Sequence, residues 1–458
     1  MSIRSINPAT GETLRSYEAH TEAQIDAALT AAETAARDWR RRPIEARAAM
    51  INRVGEVLRE RRDECARVIT AEMGKLFAEA QAEVEKCAWA CEYYAEHGPK
   101  FLADEIIETD AGRSLVACQP LGTVLAVMPW NFPFWQVIRF AAPALLAGNT
   151  AVLKHASNVP GCALKIEQIL RDSGLPENVF QSLLVGSDVV QSLIDDPRIH
   201  AVTLTGSDKA GRSVGGQAGG NLKKTVLELG GSDPFVVLED ADIQAAATTG
   251  VKARFQNAGQ SCIAAKRFIL VDSIADEFLQ HFRAAAKKLV PGDPMQPETR
   301  LAPMARGNLR DELHEQVQDA LDKGAEAVLG CRFASGGALD RGYFYEASIL
   351  ANVDESMRAW QEELFGPVAI VIRVRDEEEA LQVANATPFG LGGAVWTRDL
   401  ERGERFAREL ECGAAFVNGM VKSDPRLPFG GIKASGYGRE LSWHGIREFV
   451  NQKTVWIG

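Results

Sequence analysis

Twice along this chain, short apolar runs alternate with stretches of helical period, and that alternation limits the fold to parallel sheets covered by helices on both faces. The first series reads as strands at Thr123–Met128 and Thr150–Leu153, helices at Phe134–Leu146 and Pro160–Ser173, and a stop at Gly174. Strands at Ser182–Val185 and Ala201–Leu204, with a helix over Asp188–Asp195 between them, continue it. The second series is a strand at Pro234–Leu238, a helix at Ile243–Phe255, a strand at Phe268–Val271 and a helix at Ile274–Leu289. Later strands fall near Ala369–Val374 and Gly393–Trp396. The expected fold class is therefore α/β, with two doubly wound α/β domains.

The segments outside the two series complete the picture. From about Glu22 to Glu96 the chain is rich in Ala, Glu and Arg, with Ile51, Val54, Val57 and Leu58 at helical spacing, which predicts a helical opening. Lys453–Ile457 alternates like an edge strand, and Arg113–Gln119 is a candidate neighbour in a small separate oligomerisation sheet. The expected division is a dinucleotide-binding domain over 1–112 and 121–230 and a catalytic domain over 231–430. An oligomerisation segment over 113–120 and 440–458 completes it.

A chain of 458 residues is long enough for such a two-domain body. Its net charge of −11 argues against a general binder of nucleic-acid backbone. The apolar segments Val124–Val127 and Ala141–Ala147 are too short to span a bilayer, and Met1–Pro8 lacks the apolar core of a signal peptide. No nucleic acid, no membrane and a cytoplasmic location are expected. The 8 cysteines are scattered without the close pairs of a zinc or disulfide framework, so no metal site is expected.

Three residues stand out chemically. In Phe255–Cys262 a helical pattern runs into a Gly-containing turn and presents one thiol, Cys262; taken alone, it is as compatible with a structural cysteine. Glu228 closes a strand-like run, Lys224–Leu227, and precedes Leu229-Gly230-Gly231-Ser232, whose glycines leave its carboxylate open to a cavity. The plain alternative is a solvated strand-end carboxylate. Asn131 lies in Met128-Pro129-Trp130-Asn131-Phe132-Pro133, a strand-to-helix turn where its amide could donate to an oxyanion or merely form an Asx turn. There is no Gly-x-Gly-x-x-Gly after an early strand.

Taken together, Pro129–Phe132, Lys154, Leu204–Ser207, Glu228–Gly231, Phe255–Cys262, Glu362–Pro367 and Pro428–Gly431 resemble the aldehyde dehydrogenase superfamily, in order and over nearly the whole chain. The resemblance implies Cys262 as nucleophile, Glu228 as general base and Asn131 as oxyanion donor. It implies that Pro129, Trp130, Lys154, Ser157, Gly206, Ser207, Leu229, Glu363 and Phe365 hold a dinucleotide, with the pyrophosphate facing the helix that starts near Lys209. It also implies that Phe132, Gln136, Arg139 and Phe429 line a substrate tunnel and that the enzyme is a homodimer or homotetramer. The run from Leu410 to Leu441 is similar to the shorter bacterial succinate-semialdehyde dehydrogenases in particular.

Two positions bear on selectivity. Many members of the family that favour NAD carry glutamate where this chain has Ser157, so NADP is expected as well as NAD, and in preference to it. The alternative is that Ser157 caps the next helix while NAD is used. Phe132, Gln136 and Arg139 fall at helical i, i+4, i+7 spacing, and an arginine on that face predicts a substrate with a distal carboxylate held by paired N–H donors. The alternative for Arg139 is a structural salt bridge. Gln256 stands where related succinate-semialdehyde enzymes often carry a second arginine, which leaves glutarate semialdehyde or a broader aldehyde range open. Ala264 excludes a disulfide switch at that neighbour of Cys262. The reading from another class is a catalytically silent homologue kept for structure or binding.

Overall fold

The computed structural model describes Ser2–Gly458. It opens on an antiparallel hairpin, Ser2–Ile6 with Thr13–Glu18, which the sequence reading did not anticipate because the runs are short and polar. The expected helical opening follows as Glu22–Trp39, Ile44–Glu60, Arg62–Met73 and Phe77–Phe101. Thr21 and Gln24 form a reciprocal capping box at the first of these, satisfying donors that a helix start leaves free. Ile51, Val54, Leu58, Val84 and Ala88 join one core with the strands and helices of the first sheet.

That sheet runs Phe180–Ser182, Thr150–His155, Thr123–Met128, Ile199–Thr205, Lys224–Glu228, all parallel, with Gly436–Tyr437 antiparallel on its outer edge. The chain steps outward from Thr123–Met128 through two strands, then returns to pair Ile199–Thr205 on the opposite side. The crevice beyond the carboxyl ends of those two neighbours is a topological switch point, where open α/β sheets take their ligands. Pro129–Pro133 and Gly206–Ser207 leave the sheet there.

Leu229–Ser232 carries the chain into the second sheet. Its order is Glu326–Leu329, Ser348–Ala351, Val368–Val374, Ala265–Val271, Asp233–Val237, Gly392–Trp396, Ala414–Val417, parallel except for the first. Phe235, Val236, Phe268, Ile269, Ile370 and Val395 are buried, as expected of strands covered on both faces. In the small third sheet, Arg113–Pro120 pairs along its full length with Val450–Ile457, and Glu105–Ile106 adds a short strand.

Two expected elements shift. The strand placed at Ser182–Val185 lies at Phe180–Ser182, because the Val185 N–H turns back onto the Leu183 carbonyl at 3.1 Å and ends the ladder. The helix placed at Asp188–Asp195 starts as a 3₁₀ turn, Ser187–Val189, before the α-helix Val190–Asp195. The Gly436–Tyr437 strand lay outside the expected division, although it closes the first sheet. No helix among the described residues is long and apolar enough to cross a membrane.

Candidate active site

The Pro129–Pro133 turn is held from below. Glu83, on the Phe77–Phe101 helix, accepts from the Phe134 and Trp135 N–H groups at 2.9 and 3.0 Å, an anion placed on the positive end of the Trp135–Leu146 helix. Buried Lys75 pairs with Glu83, and its Nζ lies 3.8 Å over the Phe132 ring. His155 fixes the other side. Its Nε2 lies 2.9 Å from the Pro133 carbonyl, and its Nδ1 lies 3.2 Å from the Met128 carbonyl and 3.0 Å from the Ala156 N–H. Burial lowers this imidazole to about 4, which keeps it neutral.

On this turn Asn131 is buried, with its amide fixed at both ends. Nδ2 donates to the Gln260 carbonyl at 3.1 Å, and Oδ1 accepts from Gln136 Nε2 at 2.9 Å. One amide hydrogen therefore remains for an oxyanion. Gln136 reaches the cleft, as the sequence reading expected of a substrate contact, and in the structure it also sets the rotamer of Asn131.

The loop carrying Cys262 is tied just as closely. Asn257 and Ala258 adopt left-handed backbone angles, φ 57° and 51°, which cost energy in non-glycine residues and persist where the surroundings enforce them. Asn257 Nδ2 donates to the carbonyls of Asn131 and Gln260, both at 2.9 Å. Lys266 Nζ donates to the carbonyls of Ser261 and Cys262 at 2.9 and 2.7 Å and pairs with Glu363 Oε1 at 3.1 Å. Burial pushes the Cys262 thiol up to about 12, against the pull of Lys266 and Arg139. The resting thiol is neutral, so making the nucleophile requires a proton acceptor.

Glu228 is a carboxylate suited to that work. It ends the Lys224–Glu228 strand, is 2% exposed, and neither of its oxygens has a hydrogen-bond partner. Burial, then the charge of Glu440, raises its pKa well above the usual carboxylate range; Arg139 and Arg439 oppose the shift. Gly430, at φ 153°, makes room for it: a Cβ there would meet Glu228 Oε1 at 2.7 Å.

Arg139 faces a carboxylate of the protein. Its guanidinium is 2.5 Å from Glu440, donates to Thr205 Oγ1 at 3.3 Å and stacks 4.8 Å from the Phe429 ring. Both side chains of the ion pair are buried. One nitrogen of the guanidinium, Nη2, thus faces a carboxylate of the protein, the alternative that the sequence left open, while Nε has no hydrogen-bond partner.

A cleft of about 860 Å³ lies over this ground. Its walls include Pro129, Trp130, Asn131, Gln136, Gly206, Ser207, Leu229, Cys262, Glu363 and Phe365, which joins the nucleophile and oxyanion donor to most residues expected to hold a dinucleotide. A family model described as aldehyde dehydrogenase matches residues 1–455. The chain belongs to the aldehyde dehydrogenase family. A probable succinate-semialdehyde dehydrogenase, NADP(+), of Synechocystis is 50% identical over 458 residues, 100% of each chain. The Escherichia coli succinate semialdehyde dehydrogenase, NAD(P)+, is 49% identical and covers 99% of this chain and 97% of its own. Among solved structures, the succinic semialdehyde dehydrogenase of Streptococcus pyogenes in complex with NADP+ superposes with a TM-score of 0.96 at 39% identity, covering 99% of each chain.

The remaining positions of this aldehyde dehydrogenase divide as follows. Trp130 and Phe365 meet edge to face at 5.7 Å. Glu363 also accepts from the Gly231 N–H at 3.1 Å, and a Cβ on Gly230 would lie 2.3 Å from its Oε2, so only glycine lets it approach. Ser207 caps the Asp208–Gly220 helix through the Ala210 N–H. Lys154 ends the Thr150–His155 strand, buried, outside the walls of the cleft, and burial lowers its pKa. Ser157 is exposed and does not cap the next helix, whose first flanking residue is Val159. Phe132 and Phe429 lie under Lys75 and Arg139 and are not on the cleft walls. The sequence reading missed Lys266 and Glu440. A lysine inside the apolar run Ala264–Val271 was a usable signal for the first; nothing local marked the second.

Proposed function

We propose that this aldehyde dehydrogenase oxidises succinate semialdehyde to succinate, with NADP in preference to NAD. The observation that carries the reading is one dinucleotide-sized cleft lined by a thiol, Cys262, and a positioned amide, Asn131, with an unpartnered buried carboxylate, Glu228, directly before its lining residues Leu229 and Gly230. The named substrates and cofactors of the full-length relatives support the choice of aldehyde and of NADP.

The residues fit a dinucleotide: a switch-point crevice, a glycine pair beside Glu363, an aromatic wall at Trp130 and Phe365, and the unpaired Lys154 near Ser157. When bound, the nicotinamide supplies the acceptor for the hydride. The protein does the rest. Cys262 gives up its proton to Glu228, which releases it to solvent before the second step, and the sulfur bonds to the aldehyde carbon as the C=O π pair moves onto oxygen and makes an oxyanion. Asn131 Nδ2 and the Cys262 backbone N–H donate to that oxyanion, in a site where fixed donors need no reorganisation. After oxidation the carbon is a thioester. Glu228 takes a proton from water, whose oxygen bonds to the acyl carbon as the C–S bond breaks and returns the thiolate. Hydrolysis, rather than transfer to coenzyme A, suits a dedicated base.

A cytoplasmic location and a homodimer or homotetramer belong to the same proposal. The latter is supported by Ile106, Trp456 and Ile457, which are exposed on the small third sheet. The test is NADPH formation with a panel of succinate semialdehyde, glutarate semialdehyde and butanal, each with both cofactors. The highest kcat/KM is expected for succinate semialdehyde with NADP, and none in Cys262→Ala. A preference for NAD of about a hundredfold, some 2.7 kcal/mol, would overturn the cofactor assignment, and equal turnover of butanal would overturn the substrate.

A further inference from the structure

A half-buried guanidinium, that of Arg306, reaches the cleft. Arg306 lines the same wall as Leu309, Glu363 and Phe365. Its Nε is buried without a hydrogen-bond partner. Each more deeply buried arginine has at least one partner, Arg47 the Leu146 carbonyl, Arg254 those of Leu364 and Val368, Arg267 those of Ser232, Val383 and Ala384, and Arg139 the Glu440 carboxylate, although Arg139 Nε and Arg254 Nη1 also lack one.

Burying the Nε donor without a partner costs free energy that the fold does not recover unless something else does the pairing. The cost is incurred at a fixed place. The Ala305 N–H donates to Gln260 Oε1 at 2.8 Å, tying the backbone beside Arg306 to the loop of Cys262. The Arg310 N–H donates to the Arg306 carbonyl at 3.2 Å, so the residue is also anchored to the Gly307–Asp322 helix. Burial lowers its pKa and only Glu312 counters this electrostatically, yet an arginine stays charged at neutral pH.

We propose that Arg306 is an oxyanion-binding residue of the catalytic cleft, accepting either a phosphate of the dinucleotide or the distal carboxylate of the aldehyde. Both ligands present paired oxygens to a planar fork of N–H donors, which a guanidinium in a fixed place can meet without reorganising. The inference rests on the aldehyde dehydrogenase reading for the two ligands it names.

The experiment uses the full-length protein as wild type, Arg306→Ala and Arg306→Lys. Calorimetry gives the Kd of NADP+ and NAD+. Protection of Cys262 from iodoacetamide by succinate reports the carboxylate separately. If the source is a phosphate, Arg306→Ala raises both cofactor Kd values about 10- to 100-fold and leaves succinate protection unchanged. If the source is the carboxylate, succinate protection weakens by a similar factor and the cofactor Kd values hold. Arg306→Lys, which keeps the charge but not the fork, falls between wild type and alanine in either arm. Changes below about twofold in all three ligands, in a variant with wild-type circular dichroism, would overturn the proposal. A wild type that binds these ligands but forms no NADPH would instead count against the function proposed above.

Discussion

Replacing Arg139 by methionine separates its two roles sharply. The Arg139–Glu440 pair has side chains 3% and 5% exposed at 2.5 Å, so methionine removes one partner of a buried ion pair and leaves a desolvated carboxylate. Breaking such a pair from one side costs about 3–5 kcal/mol, two to four decades in the folding equilibrium. Replacing both members, as Arg139→Met with Glu440→Met, removes the uncompensated charge and restores stability to within about 1–2 kcal/mol of wild type. Urea unfolding followed by tryptophan fluorescence, with KM measured in parallel for succinate semialdehyde and butanal, reads both roles. The structural pair predicts a large stability loss in the single variant, recovery in the double, and similar changes in KM for the two aldehydes. An Arg139→Met protein within about 1 kcal/mol of wild type, with KM raised for the carboxylate-bearing aldehyde alone, would refute the reasoning.

The base proposed above, Glu228, has a raised pKa, so it becomes active only as pH rises through that value, and kcat should climb toward alkaline pH. Glu440→Gln removes the charge that raises it and frees Arg139, so the limb of the pH–rate profile should move to lower pH; movement in the other direction would exclude the coupling. Lys266→Met removes the cation that most favours the Cys262 thiolate, and iodoacetamide alkylation at fixed pH should slow about tenfold, whereas Lys266→Arg should retain most of the rate. Ser157→Glu places a carboxylate near the ribose and should raise KM for NADP about tenfold or more with little change for NAD, read from initial rates.

Cys262, Glu228 and Asn131, to which the proposal gives the roles of nucleophile, base and oxyanion donor, stood out because each sits at a break in pattern. Cys262 follows Gly259, Glu228 precedes Gly230, and Asn131 lies between two prolines, so local chemistry marks where a strand or helix gives way to a turn. The long ladder between Arg113–Pro120 and Val450–Ile457 was legible from alternation alone. Arg139 was not. Helical spacing places it on a face, but what covers that face is Phe429 and Glu440, far along the chain, and single-residue periodicity carries no record of such a meeting. Arg306 was hidden for the opposite reason: an arginine just ahead of a polar helix reads as solvated surface until its missing partners can be counted.

The return of Gly436–Tyr437 to the outer edge of the first sheet has a consequence for synthesis. A ribosome making this chain finishes the parallel strands of the first sheet long before it supplies their last neighbour. Glu440, which raises the pKa of Glu228, and Val450–Ile457, which completes the third sheet, arrive in the same final stretch. The nascent chain can therefore collapse around its nucleophile without a tuned base. A fragment that stops before Glu440 would carry Cys262 and Glu228 without that neighbouring charge.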